Sequence, residues 1–221
     1  PTVVLHDSCR TLPHLWDGAR HGVQCAPSMI YLIRHGETAW NARRIVQRTN
    51  TPLNACGAKQ AERLAMRMAN AGLTRIIASD YRRARQTATA LAPEGTVPLE
   101  LTPLLRERDL GQLVGRPYAE AEPFFYDPKH DPLDGETWVR FLARVSTAWE
   151  RIRQAASTDV SVSVAVVTHG LVCRALAEHH LGLEPDASLP VWFPNASVTR
   201  IDATPPWTLR RPACVDHLDG L

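Results

Sequence analysis

Residues 162–167, Val-Ser-Val-Ala-Val-Val, form a short apolar run with almost no polar alternation. A strand with one wet face alternates apolar and polar side chains; a strand buried on both faces need not. The run therefore predicts a central parallel strand, which requires helices on both faces of its sheet.

The remaining elements supply the matching rhythm. Residues 30–33 read as a first strand. Asn54 can cap a helix running to about Asn70, with Ala61, Leu64, Ala65 and Met68 on one face and Gly72 as its stop. Residues 73–78 follow as a second strand. Ser79 or Asp80 is placed to cap a helix through Leu91, which ends before Pro93. Residues 97–101 form a short third strand.

A loop-rich region over 111–135 then carries Pro117, Pro123, Pro128 and Pro132 together with Tyr118, Phe124, Phe125 and Tyr126. A long helix over about 136–156 sets Trp138, Phe141, Leu142, Val145, Trp149 and Ile152 near helical spacing. Residues 170–181 form a helix and 197–201 a last strand. The expected fold is α/β, a three-layer α/β/α sandwich with a mostly parallel central sheet and no internal repeats.

Bulk properties narrow the function. A chain of 221 residues, 44% hydrophobic, suits one core and one domain. A formal net charge of +2 gives no reason to expect a nucleic-acid or membrane partner. No apolar run nears the roughly 20 residues of a membrane span. The five cysteines, at 9, 25, 56, 173 and 214, contain no CxxC pair and read as reduced thiols in a cytoplasmic protein. Residues 1–28 carry Pro13, Pro27, Gly18 and Gly22 without any sustained period, and lack the basic start and apolar stretch of a secretory signal. They are expected to be an N-terminal extension, disordered or arising from a misassigned start. The single catalytic domain is expected over 29–221.

In open α/β sheets, sites lie beyond the carboxyl ends of the strands. The first strand runs into Arg34-His35-Gly36-Glu37-Thr38, the second into Ser79-Asp80 with Arg82, Arg83 and Arg85 behind, and the central strand into Thr168-His169-Gly170. A parallel arrangement converges two histidines and at least two arginines on one crevice. Arginine's planar fork of donors matches phosphate oxygens. A helix starting at Gly170 would aim its N–H groups at an anion. An imidazole among cations stays neutral near pH 7, as a nucleophile must. Each histidine precedes a glycine, which would let a ligand approach the backbone. Either histidine alone is more often a loop or capping residue; the joint pattern is what points to chemistry.

These residues resemble the histidine phosphatase superfamily, also called the phosphoglycerate mutase-like family. The resemblance rests on ordered blocks: Leu32-Ile33-Arg34-His35-Gly36-Glu37-Thr38 with Trp40-Asn41; Pro52-Leu53-Asn54-Ala55-Cys56-Gly57; residues 79–88; Leu105-Arg106-Glu107-Arg108-Asp109-Leu110-Gly111 with Gly115; Gly135-Glu136-Thr137; Val167-Thr168-His169-Gly170; and Asn195-Ala196-Ser197-Val198. It covers about 29–202. The resemblance implies that His35 attacks phosphorus and becomes phosphorylated. It implies that Arg34, Asn41, Arg83 and His169 hold the phosphoryl oxygens, and that Glu107 protonates the leaving oxygen and then activates water. His35, Glu107 and His169 are thus the expected catalytic residues. Arg82 and Arg85 are expected at the surface, with Arg82 the substitute should Arg83 not fit.

The expected activity is hydrolysis of a small-molecule phosphomonoester without metal or cofactor. His179 and His180 are adjacent on a helix and no HExxH or GxxxxGK occurs. A phosphoglycerate mutase is the alternative. Against it, the 111–135 stretch is short, with Arg116, Lys129 and His130 as its basic residues. A catalytically dead phosphate-binding module is the third reading. The aromatics of 118–126 are either a substrate lid or an ordinary mini-core under a loop.

Overall fold

A computed structural model describes residues 28–92, 95–157, 162–184, 188–190 and 192–221. Of the leader expected over 1–28, only Ser28 falls among them. It is tied into the fold: its Oγ accepts from the Val162 N–H at 3.0 Å and its carbonyl from Ala203 N–H at 3.3 Å.

In chain order the elements are β1 (Met29–Arg34), α1 (Ala39–Ala42), α2 (Ala55–Met68), β2 (Leu73–Ser79), α3 (Arg82–Leu91), β3 (Leu99–Thr102), α4 (Tyr118–Ala121), α5 (Trp138–Ala156), β4 (Ser163–Thr168), α6 (Gly170–His180), β5 (Gly182–Leu183), β6 (Val198–Asp202) and β7 (Thr208–Cys214). They form one sheet in the order β3-β2-β4-β1-β6-β7-β5. β3, β2, β4 and β1 run parallel, whereas β6 is antiparallel to both β1 and β7. β4 lies between β1 and β2 and is buried at every position, as its unalternating sequence requires.

The period of two along each strand sorts the core into two layers. Ile30, Leu32, Ile77, Val164 and Val166 face α5 and α6, against Phe141, Val145, Trp149, Ile152, Val172 and Leu176. Ile33, Ile76, Ala78, Ala165 and Val167 face α2 and α3, against Leu64, Met68, Ala84, Ala88 and Leu91. The α/β/α sandwich follows.

Local expectations differ from the structure at several ends. Asn54 caps α2, accepting from Gly57 N–H at 2.7 Å. Neither Ser79 nor Asp80 caps α3, whose first flanking residue is Tyr81 with no side-chain cap. Both are engaged elsewhere, Ser79 with His169 and Asp80 in a two-pronged pair with Arg106. α5 starts at Trp138 under a Thr137 cap, because Glu136 is held outside by Arg144 at 2.6 Å. The third strand lies over Leu99–Thr102 rather than 97–101.

The 197–201 strand is not the last. β7 follows it, hidden in sequence because Arg210, Arg211 and Pro212 interrupt any apolar alternation. Only the two-residue β5 covers its far side. An almost-edge strand tolerates charge and proline where a central one does not.

Candidate active site

The register of the sheet builds the site. Arg34 pairs with Thr168 across β1 and β4, so His35 and His169, each one residue further on, emerge side by side. Their ring centroids are 5.0 Å apart and both are buried. The His35 N–H donates to Thr168 O at 3.0 Å, which fixes the exit of β1 against β4.

His35 is oriented by two contacts. Its Nδ1 lies 2.7 Å from the Gly36 carbonyl, and Arg83 Nε–H points at its Nε2 from 3.3 Å. A carbonyl can only accept and a guanidinium only donate, so Nδ1 carries the proton and Nε2 the lone pair. Burial first, then the Arg83 and Arg34 charges, hold the His35 pKa well below the ordinary 6.5. The imidazole is therefore neutral, with its lone pair among cations.

Arg83 is buried, as Arg82 and Arg85 are not. Burial draws its pKa down to about 10, which still leaves it charged at neutral pH. Its terminal nitrogen donates to the Arg48 and Thr49 carbonyls at 3.1 and 3.4 Å, which compensates part of the desolvation such a charge suffers. Arg34 donates to Phe193 O at 2.5 Å, while its buried Nε has no partner among the described residues.

Glu107 follows β3 and a short turn. Thr168 Oγ1 ties that turn to β4 by donating to Leu105 O at 2.8 Å. Its carboxylate accepts from Arg108 N–H at 3.1 Å and Leu171 N–H at 3.2 Å. Burial pushes its pKa up, and this outweighs the opposing pull of the Leu171 N–H, Arg83 and Arg34. A carboxyl poised to keep a proton is what a general acid requires.

The start of α6 thus serves Glu107, where a direct anion contact was expected of it. A Cβ on Gly170 would stand 3.6 Å from the Arg34 guanidinium and 3.9 Å from Glu107 Oε2, so this glycine does border the reacting groups. Gly36 has another reason to be glycine. A Cβ there would meet Gly57 O at 2.7 Å, so it admits the backbone of α2, not a ligand.

His169 donates to or accepts from Ser79 Oγ at 2.8 Å through Nε2, and its buried Nδ1 has no partner among the described residues. It stands behind His35 and does not line the cavity. Burial and the Arg83 charge hold its pKa well below 6.5 too. Asn41 does line the cavity. Its Nδ2 donates to Tyr118 Oη at 3.3 Å, and its Oδ1 accepts from Asn195 Nδ2 at 3.2 Å.

The cavity above these groups measures about 550 Å³. Three of its builders carried no separate signal in the sequence. Asn195, noted only as the approach to a strand, donates to His35 O at 3.0 Å and Gly36 O at 3.3 Å and so holds the exit of β1 in place. Arg108 is buried and donates to the carbonyls of Phe124, Phe125, His130 and Glu136 at 3.0 to 3.1 Å. Trp192 closes the wall beside Phe125. Of these, Arg108 and Asn195 lay inside blocks already singled out, and Trp192 did not.

The profile of the histidine phosphatase superfamily, branch 1, matches residues 30–211. The chain belongs to this superfamily. Among the relatives of this superfamily member is a protein of Yersinia enterocolitica described as a probable phosphoglycerate mutase GpmB. It is 33% identical over 186 residues, covering 80% of this chain and 86% of the relative. The solved structure of YhfR from Bacillus stearothermophilus superposes with a TM-score of 0.71 at 28% identity, over 86% of this chain and 99% of that one. A mycobacterial glucosyl-3-phosphoglycerate phosphatase in complex with VO3 superposes with a TM-score of 0.66 at 27% identity, over 80% and 92%. The superfamily holds phosphatases and mutases alike, and an enzyme acting on a small phosphorylated substrate follows from membership.

Among the described residues, no group of three or more His, Cys, Asp or Glu is placed to hold a metal ion. No described helix is long and apolar enough to cross a membrane.

Proposed function

We propose that this histidine phosphatase hydrolyses a phosphomonoester through a covalent phosphohistidine on His35. The observation that carries the reading is the orientation of His35, whose neutral Nε2 lone pair faces the cavity floor beside Arg83. Nε2 attacks phosphorus in line. Arg34, Arg83 and Asn41 take the phosphoryl oxygens, and the unpartnered Arg34 Nε–H is the donor best placed to gain from an anion. His169, neutral and packed beside His35, contributes an imidazole dipole and no net charge to the transferring group. Glu107, whose pKa burial pushes up, gives a proton to the leaving oxygen and as carboxylate then activates water.

Hydrolysis is favoured over transfer back to glycerate. The basic residues of the roof segment, Arg116, Lys129 and His130, do not line the cavity. Arg108 does, but its guanidinium is engaged by four backbone carbonyls. Of the other wall arginines, Arg44 lies by Glu122 and over Tyr118, and Arg48 lies over Trp40, so a substrate carboxylate would have to compete for them. The positive charge comes from arginines, so catalysis needs no metal. The free thiols of Cys56, Cys173 and Cys214 support a cytoplasmic setting.

The test is a phosphomonoester panel run without metal and including glycerate phosphates, with the phosphoenzyme trapped by acid quench. Release of inorganic phosphate and a labelled histidine are expected. Isomerisation of glycerate phosphates without net phosphate release would replace this reading with the mutase. A silent panel with no label would leave the binding module.

A further inference from the structure

The cavity is much larger than the group it would transform. At about 30 Å³ per water-sized group, a phosphoryl group needs on the order of 100 Å³, against about 550 Å³ present. The remaining volume belongs to the alcohol that leaves, and one side of it is apolar. Val46, Leu110, Val114, Tyr118, Phe125 and Trp192 line it. The three aromatic rings form one edge-to-face set: Tyr118 and Phe125 have centroids 5.6 Å apart at 84°, Phe125 and Trp192 6.2 Å apart at 89°.

Arg44, Gln47, Arg48, Thr49 and Asp109 form much of the opposite side, and part of the polar capacity around the apolar side is already engaged. Tyr118 Oη accepts from Asn41. Arg44 lies over the Tyr118 ring at 5.5 Å and near Glu122 at 3.8 Å. Arg48 lies over Trp40 at 5.7 Å. Asp109 adds a negative wall residue, with Oδ1 accepting from Gly111 N–H at 2.9 Å. A polyhydroxylated or carboxylated alcohol would lose water here and regain few hydrogen bonds, which is costly. An apolar ring would displace that water favourably and meet the aromatic edges.

We propose that the preferred substrate is a phosphomonoester of an alcohol carrying a ring-sized apolar part, bound between Val114, Tyr118, Phe125 and Trp192. The proposal rests on the phosphohydrolase reading of the same site and adds the class of its leaving group.

The test compares 3-phenylpropyl phosphate with glycerol 3-phosphate. Both are primary alkyl esters with strongly basic leaving oxygens, so a preference reports binding of the alcohol. The wild type is expected to favour the phenylpropyl ester by at least about tenfold in kcat/KM, the scale on which apolar pockets discriminate. Trp192→Ala and Val114→Ser should each shrink that ratio severalfold, through KM for the phenylpropyl ester. Two variants guard against one misfolding. Calorimetric binding of the two corresponding phosphonates, which resist hydrolysis, reads the same preference without turnover. Equal or reversed preference in both assays overturns the proposal. Preferential phosphonate binding without hydrolysis of either ester would defeat the phosphohydrolase reading and leave the apolar subsite standing.

Discussion

The floor of the cavity hangs from three parallel strands, whereas its roof hangs largely from one arginine. His35 on the floor and, just behind it, His169 and Ser79 lie at the ends of β1, β4 and β2, and the ladder of backbone hydrogen bonds sets their spacing. The roof, over 108–136, is made of short turns, α4 and extended chain. Its side-chain hub is Arg108, donating to four carbonyls of that segment, with Trp138 5.2 Å from its guanidinium, beside backbone ties such as those of Gly115 and Arg116 to Val46 and of Tyr118 to Arg44. A ladder distributes its constraint over many bonds, so one side chain can change without moving the rest. A hub concentrates it. The floor should therefore lose chemistry when mutated and keep its fold, and the roof should lose shape.

His35→Ala gives the largest effect on the floor. Turnover should vanish, with an unchanged circular-dichroism spectrum and melting temperature within a few degrees, because a nucleophile is lost and the strand ladder is not. Near wild-type rates in that variant would reject the mechanism.

Glu107→Gln comes next. The amide keeps the two N–H contacts but cannot give a proton. The rate on an alkyl phosphate should fall by roughly two to four powers of ten. Phosphorylation by an aryl phosphate, whose leaving group needs no proton, should fall much less, and phosphoenzyme should accumulate if water attack becomes limiting. Pre-steady-state kinetics separates the steps, and equal losses on both esters would assign Glu107 a purely structural role.

Arg108→Ala tests the hub. Four carbonyls lose a charged donor, and denaturant unfolding should show a loss of about 3 kcal/mol. KM should rise by about tenfold or more, with kcat on an aryl phosphate changed less. Unchanged stability would mean that the roof holds itself together.

The pH dependence of stability is a smaller effect and belongs to the floor. His35 and His169 both have folded pKa values depressed below 6.5 by burial. Below pH 6.5 the unfolded chain binds protons that the folded chain refuses. Stability from these two groups is therefore complete above that pH and falls as the pH drops toward the folded values. Thermal melts from pH 8 to 5 should show a decline that His169→Gln reduces.

The smallest expected effect is none. Incubation with a chelator should leave kcat/KM unchanged, because Arg34, Arg83 and the buried imidazoles supply the polar environment. Loss of activity that a divalent ion restores would break this expectation.

Strand ends were legible in the sequence because they combine two short-range signals: an apolar run that must be a strand, and the polar residues directly after it. The unalternating 162–167 run placed β4 at the centre of the sheet, and the period of two distributed Ile30, Ile33, Val164 and Val167 between the layers. Pairing of β1 with β4 then brings His35 beside His169. These are consequences of periodicity and backbone hydrogen bonding, which act over a few residues. The tertiary structure alone decided which partner each polar group takes. Ser79 turns from helix cap to His169 contact, Gly36 makes room for α2, and the start of α6 receives Glu107. It also decided that Arg108, Trp192 and Asn195 meet the cavity from distant parts of the chain. Burial makes such choices: a donor or acceptor removed from water must find whatever partner the packed chain brings within reach, and sequence distance does not limit that search.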